Sequence, residues 1–121
     1  MPILQINFKL NVSHAEYRKI ADSVAQTIAD APGLVWKVWL LNERDGEAGG
    51  IYLFQDEQSL SAYLSSPIIG QIKSLPQLRE ISAKCFETMP ELTVVTRGPI
   101  PALTELKGIN QFYEENVHVA Q

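Results

Sequence analysis

The stretch "GLVWKVWLLNERDGEAGGIYLF" (33–54) sets one lysine, Lys37, between two tryptophans, Trp36 and Trp39, and follows them with Tyr52. A primary amine among aromatic rings has two uses. Its ammonium can lie over a ring face and reach an acid, registering a contact between surfaces, or it can attract an anionic ligand. The sequence leaves both open. Metal and nucleophile chemistry have less to work with. Two histidines, His14 and His118, and one cysteine, Cys85, supply no histidine-rich or paired-cysteine metal site within one chain. There is no GxGxxG, P-loop or HExxH motif, and a Ser-His-Asp triad would have to recruit His14 from a helix start. Cys85 reads most simply as a buried small hydrophobe. Tyr63 is a second-tier candidate with its hydroxyl toward a cleft between helix and sheet, and Arg97 is another, closing a pocket from the C-terminal side.

The elements that must position these residues are legible in the hydrophobic pattern. "ILQINFKL" (3–10) alternates, with Leu4, Ile6, Phe8 and Leu10 toward a core and Gln5, Asn7 and Lys9 away from it. Ser13 and Glu16 form a capping box, after which Tyr17, Ile20, Ala21, Val24, Ala25 and Ile28 recur at helical spacing to about Asp30. Pro32-Gly33 ends that helix. Asp45-Gly46 marks a tight hairpin turn. With those two residues as the loop, Trp39 faces Tyr52, Lys37 faces Phe54 and Leu41 faces Gly50. This gives an aromatic-cationic face and a second face of Trp36, Val38, Leu40, Ile51 and Leu53. The second, mostly aliphatic face is expected beneath the helices, which makes Trp36 core and Trp39 an interface or pocket wall. Asp56 caps a shorter helix carrying Leu60, Tyr63 and Leu64, which Pro67 interrupts. "IIGQIKSLP" reads as a helical turn or lid-like loop. "LREISAKCFETM" (78–89) is a fourth strand with Ile81, Ala83 and Cys85 on one side.

Strand, helix, strand, strand, helix, strand is the split β-α-β order of a ferredoxin-like α+β domain, with a four-stranded antiparallel sheet and helices on one face. The other face, taken to carry Trp39, Tyr52 and Phe54, is poorly suited to water and calls for a partner sheet. The domain is expected over residues 1–89. Residues 90–121 form a partly helical tail, with Leu103, Leu106, Ile109 and Phe112 at helical spacing, packed on the same domain or on a partner subunit.

A chain of 121 residues with 45% hydrophobic content supports one real core. A net charge of −4 argues against nucleic acid or an anionic membrane surface as partner. No apolar run reaches membrane-spanning length and "MPILQINFKL" has no signal-peptide pattern. The expectation is a cytoplasmic protein in a reducing compartment.

"GLVWKVWLLNERDGEAGGIYLFQDEQSLSAYL" (33–64) closely resembles the YdhR family of monooxygenase-like proteins through "WKVW", "EAGGIYLF" with a following acid, and "AYL" in that order. "LQINF", "AKCF" and "TRGP" are similar as well, so the likeness spans roughly residues 3–100. It implies a dimeric α/β barrel, in which two ferredoxin-like sheets pack face to face, within the antibiotic-biosynthesis-monooxygenase-like superfamily. It further implies a cofactor-independent monooxygenase, working without metal, haem or flavin on a small aromatic or quinol-type compound. Superfamily sites combine an asparagine, a tryptophan and a histidine or arginine, which points to Asn7 as a catalytic residue: an amide holds a phenolate while apolar walls confine it with dioxygen. Lys37, as the cation that would attract that phenolate, is the second catalytic candidate. Trp36, Trp39, Tyr52, Tyr63 and Arg97 are then the substrate-binding candidates. The structural alternative for Asn7 is that it satisfies backbone or faces a partner strand. The alternative for the whole protein is a non-enzymatic homodimer that binds a small ligand.

Overall fold

The computed structural model describes residues 1–101. Four strands, β1 (Pro2–Leu10), β2 (Leu34–Asn42), β3 (Glu47–Phe54) and β4 (Leu78–Glu87), form one sheet in the order β2-β3-β1-β4. The antiparallel pairing of β1 with β3 and of β2 with β3, in that order, is the ferredoxin-like arrangement. Helix α1 (His14–Ala29) joins β1 to β2; α2 (Glu57–Leu64) and α3 (Pro67–Ser74) join β3 to β4; α4 (Pro90–Val95) follows β4. Met1–Phe86 form one compact unit, and the described residues from Glu87 onward belong to a second. The expected tail helix around Leu103–Phe112 and His118 lie outside the described residues.

Local chemistry accounts for the helix limits. The Ser13 hydroxyl accepts from the Glu16 N–H at 3.1 Å and the Asp56 carboxylate accepts from the Ser59 N–H at 2.8 Å, so both predicted caps are made. Pro67 does more than interrupt. It stands at the first position of α3, where a missing N–H costs nothing, and so opens a new helix where the sequence suggested a turn or lid. Tyr17, Ala21 and Ile28 are the buried stripe of α1, and Leu60 and Tyr63 that of α2.

The hairpin departs from expectation in two ways. Asn42 pairs with Glu47, so the loop has four residues, 43–46, rather than two. The Asn42 carboxamide explains this: its oxygen accepts from the Asp45 N–H at 3.1 Å and its nitrogen donates to the Asp45 carboxylate at 3.1 Å, while Gly46 takes a φ of +62°. Trp39 consequently faces Gly50, Lys37 faces Tyr52 and Leu41 faces Ala48. The slip is by two residues, so the sets sharing a face are those expected.

The second departure is which set lies under the helices. Leu4 pairs with Tyr52, Ile6 with Gly50 and Phe8 with Ala48, so the even positions of β1 and β3 form one face. Tyr52 and Phe54 belong to the core cluster with Tyr17, Ile28, Leu60 and Tyr63. The aromatic-cationic face is therefore the covered one, and Trp36, Val38, Leu40, Ile51 and Leu53 lie on the other. That second face is apolar and open only in part, with Val38 48% exposed but Leu53 fully buried, and its open part is what calls for a covering partner.

Two irregularities re-aim side chains. The register of β2 shifts between Leu34 and Trp36, placing Leu34 opposite Phe54 but Trp36 opposite Leu53. In β4, Glu80 has a φ of +51°, and Leu78 and Ile81 both pack on the core despite a spacing of three. An extra residue in left-handed conformation resets the alternation there. Cys85 is exposed, against the expectation of burial, because β4 beyond Ile81 presents no covered positions.

Candidate active site

Between the helices and the covered face lies a cavity of about 440 Å³. Its walls are largely apolar: Ile6 and Phe8 from β1, Val24 and Ile28 from α1, Ile68 and Ile72 from α3. Lys37, Trp39 and Tyr52 line the sheet side, with Tyr17 opposite on α1. A volume of this size, apolar with few polar groups, suits a small organic ligand.

Lys37 is the cation of this cavity. Its Nζ lies 3.4 Å from the centroid of the Trp39 ring and 4.6 Å from that of Tyr52. Among the described residues no carboxylate is within ion-pairing distance of it, whereas Lys9 pairs with Glu47 at 3.0 Å. Burial strips water from the ammonium and lowers its pKa from 10.5 to about 7. The negative faces of two rings supply the attraction that keeps a charged form accessible there. At neutral pH the amine is thus present in both forms, and can take a proton from an acidic ligand or pair with the anion that results.

Tyr52 forms the wall beside it, with Tyr63 behind. Tyr63 Oη donates to Tyr52 Oη at 3.4 Å, a long bond, and the two rings pack with centroids 5.2 Å apart. Tyr52 stacks on Phe54 at 6.2 Å. Burial, with the neighbouring Tyr63 hydroxyl, raises the pKa of Tyr52; burial also raises those of Tyr63 and Tyr17. All three remain neutral phenols, hydrogen-bonding groups rather than bases.

Glycines make the room. A Cβ on Gly50 would come 2.5 Å from Lys37 Cε and 3.4 Å from its Nζ, so the lysine reaches the Trp39 face by crossing the strand at Gly50. A Cβ on Gly49 would meet the Ile6 carbonyl oxygen, so backbone packs directly on side-chain space there. A Gly-Gly pair inside an alternating strand is a signal of close approach that the sequence offered and that names Gly50 as part of the site.

The sequence candidates separate. Lys37, Trp39 and Tyr52 are brought together, and Tyr63 backs Tyr52. Asn7 is exposed and opposite Gly49, on the face away from the helices, so it does not share the cavity with Lys37. Trp36 is on that same outer face. Arg97 belongs to the second unit, where with a φ of +64° it terminates α4: its N–H donates to Val94 and that of Gly98 to Thr93. The "TRGP" segment is therefore a helix stop. The lining from α3 is not legible in the sequence, where the segment reads as a helical turn or lid-like loop. Among the described residues no group of three or more His, Cys, Asp or Glu side chains is placed to hold a metal, and no helix is long and apolar enough to cross a membrane.

A ferredoxin-like sheet with helices on one face is a fold this chain shares with antibiotic-biosynthesis-monooxygenase-like proteins. A protein of Deinococcus radiodurans described as a "putative antibiotic biosynthesis monooxygenase" superposes with a TM-score of 0.63 at 16% identity, covering 74% of this chain and 93% of its own. SnoaB of Streptomyces nogalater, a cofactor-independent oxygenase, gives 0.60 at 20% identity over 73% and 93%. The ActVA-Orf6 monooxygenase of Streptomyces coelicolor, solved with nanaomycin D, gives 0.57 at 13% identity over 73% and 87%. The chain itself belongs to the family described as "Putative mono-oxygenase ydhR", whose model matches residues 3–99. No curated protein matches it in sequence.

Proposed function

We propose that this chain is a cofactor-independent monooxygenase of the reducing cytoplasm, acting as a homodimer on a small aromatic or quinol-type compound. The observation that carries the reading is Lys37, a desolvated amine aimed into an apolar, ligand-sized cavity and held between two ring faces. In this reading neutral Lys37 takes the proton of an activated phenol or anthrone, and the resulting ammonium pairs with the anion. The anion passes one electron to dioxygen and the two radicals combine. With an anthrone, the CH2 carbon becomes a carbonyl that keeps one oxygen atom, and the other leaves as water. The apolar walls hold the reactants together and exclude bulk solvent. Membership of the family and the likeness to SnoaB, a cofactor-independent oxygenase, support the chemistry; the apolar outer face, with Trp36, Val38 and Ile51, supports a second copy of the sheet as partner.

Oxygen uptake with anthrone as probe tests this. Uptake should exceed the uncatalysed rate, cease without oxygen, and fall about a hundred-fold or more in Lys37→Met, the scale of a lost general base. Tight anthrone binding with no uptake would sink the enzyme reading and leave a dimeric small-ligand-binding protein.

A further inference from the structure

The environment that tunes Lys37 as a base also equips it as a nucleophile. An amine attacks carbon only when its lone pair is free, and two things on a protein surface prevent that: protonation and pairing with a carboxylate. Burial leaves Lys37 only partly protonated at neutral pH, and it is removed from the second. No carboxylate among the described residues pairs with it, and Gly50 leaves its stem a path over the strand so that Nζ stands in the cavity. The space before it is apolar and large enough for a flat two-ring compound.

We propose that the cavity captures aromatic aldehydes covalently, as an imine on Lys37. The Nζ lone pair adds to the carbonyl carbon, giving a carbinolamine whose oxygen takes up the proton that nitrogen releases. Loss of that hydroxyl as water, with a second proton from nitrogen, leaves a C=N double bond. No oxidant or reductant enters. When protonated, the imine carries its positive charge where the ammonium stood, 3.4 Å from the Trp39 ring centroid and 4.6 Å from that of Tyr52, so the same ring faces stabilise it. The surrounding apolar walls limit the water that would hydrolyse it. The lowered pKa of Lys37 supports the reading, since desolvated lysines are the ones that form Schiff bases. The inference rests on the cavity being the ligand site and does not use oxygen chemistry.

The test is reductive trapping. The full-length protein is incubated with 2-naphthaldehyde and cyanoborohydride near neutral pH, without oxygen, and digested for peptide mapping. Lys37 should gain the mass of the aldehyde less one oxygen atom about ten-fold or more faster than Lys9, Lys19, Lys73 or Lys84, because its amine stands in an apolar cavity that concentrates the aldehyde beside it. An excess of 2-naphthol should protect it by filling the cavity, and Gly50→Ala should slow it. Equal labelling of all lysines, an unlabelled Lys37, or labelling indifferent to 2-naphthol each overturns the proposal. The two readings fail separately. Oxygen uptake with an unlabelled Lys37 leaves the oxygenase standing and removes this inference, and trapping without uptake does the reverse.

Discussion

Replacing Lys37 by methionine keeps an unbranched side chain of similar length and removes the buried charge, so its effect on stability isolates the cost of that charge. The unfolded chain holds the amine at the ordinary value of 10.5 and the folded chain at about 7. Between these limits the unfolded state binds more protons, so stability of the natural protein rises with pH across the window. Below about pH 7 both states are charged and the full penalty applies; above about pH 10.5 both are neutral and none remains. Each pH unit is worth about 1.4 kcal/mol, and the whole span about 5 kcal/mol at most. Packing differences between lysine and methionine do not depend on pH. Urea unfolding of both proteins at one fixed concentration should therefore show Lys37→Met gaining most at about pH 6, with the gap narrowing by about 2–3 kcal/mol between about pH 7 and about pH 9. Other groups titrate alike in both proteins and cancel. Parallel stability curves across that window would mean that the amine is solvated, and would remove the physical basis of the site.

Gly50→Ala should push the lysine stem out of the cavity, since the new Cβ would sit 2.5 Å from Lys37 Cε; the pH-dependent gap against a Gly50→Ala, Lys37→Met double variant should then flatten. Val38, 48% exposed on the outer face, is the better probe of assembly than Trp39, and Val38→Asp should turn a dimer into a monomer in light scattering. An unchanged dimer would put the interface elsewhere. Leu4 is fully buried between sheet and helices, and Leu4→Ala should cost about 2–5 kcal/mol by urea unfolding. Ser13→Ala, which removes the cap on Glu16, should cost about 1 kcal/mol in the same measurement.

Periodicity carried most of the fold. Alternation in 3–10 and 34–54, the caps at Ser13 and Asp56, and the order of elements were enough for the ferredoxin-like topology, because each is a local preference that the tertiary structure keeps. What escaped the sequence depended on contacts between elements. Both faces of the β2–β3 hairpin are apolar, so parity sorted the residues into two sets without saying which set meets the helices. The pairing of β1 with β3 decides that, and it is a nonlocal fact. The loop was misjudged because the Asn42 carboxamide competes with a two-residue turn. For the site, Lys37, Trp39 and Tyr52 form one group on the sequence alone, since period two unites Lys37 with Trp39 and an even slip of the hairpin keeps Tyr52 on their face. Asn7 was joined to them by likeness to other sites, and its odd position on β1 puts it behind the sheet. Gly50 carries no side chain, so side-chain chemistry alone does not point to it.

The placement of Trp36 and Trp39 on opposite faces has an optical consequence. The chain has two tryptophans, three residues apart in one strand, and they look into different environments. Trp39 sits under the Lys37 ammonium, so its emission should respond to protonation of that amine and to anything that fills the cavity. Trp36 should ignore both and respond to whatever covers the outer face. Trp36→Phe and Trp39→Phe would give two single-fluorophore proteins, one reading ligand entry and the other assembly, so that a titration followed in each would separate occupancy from dimerisation without an added dye.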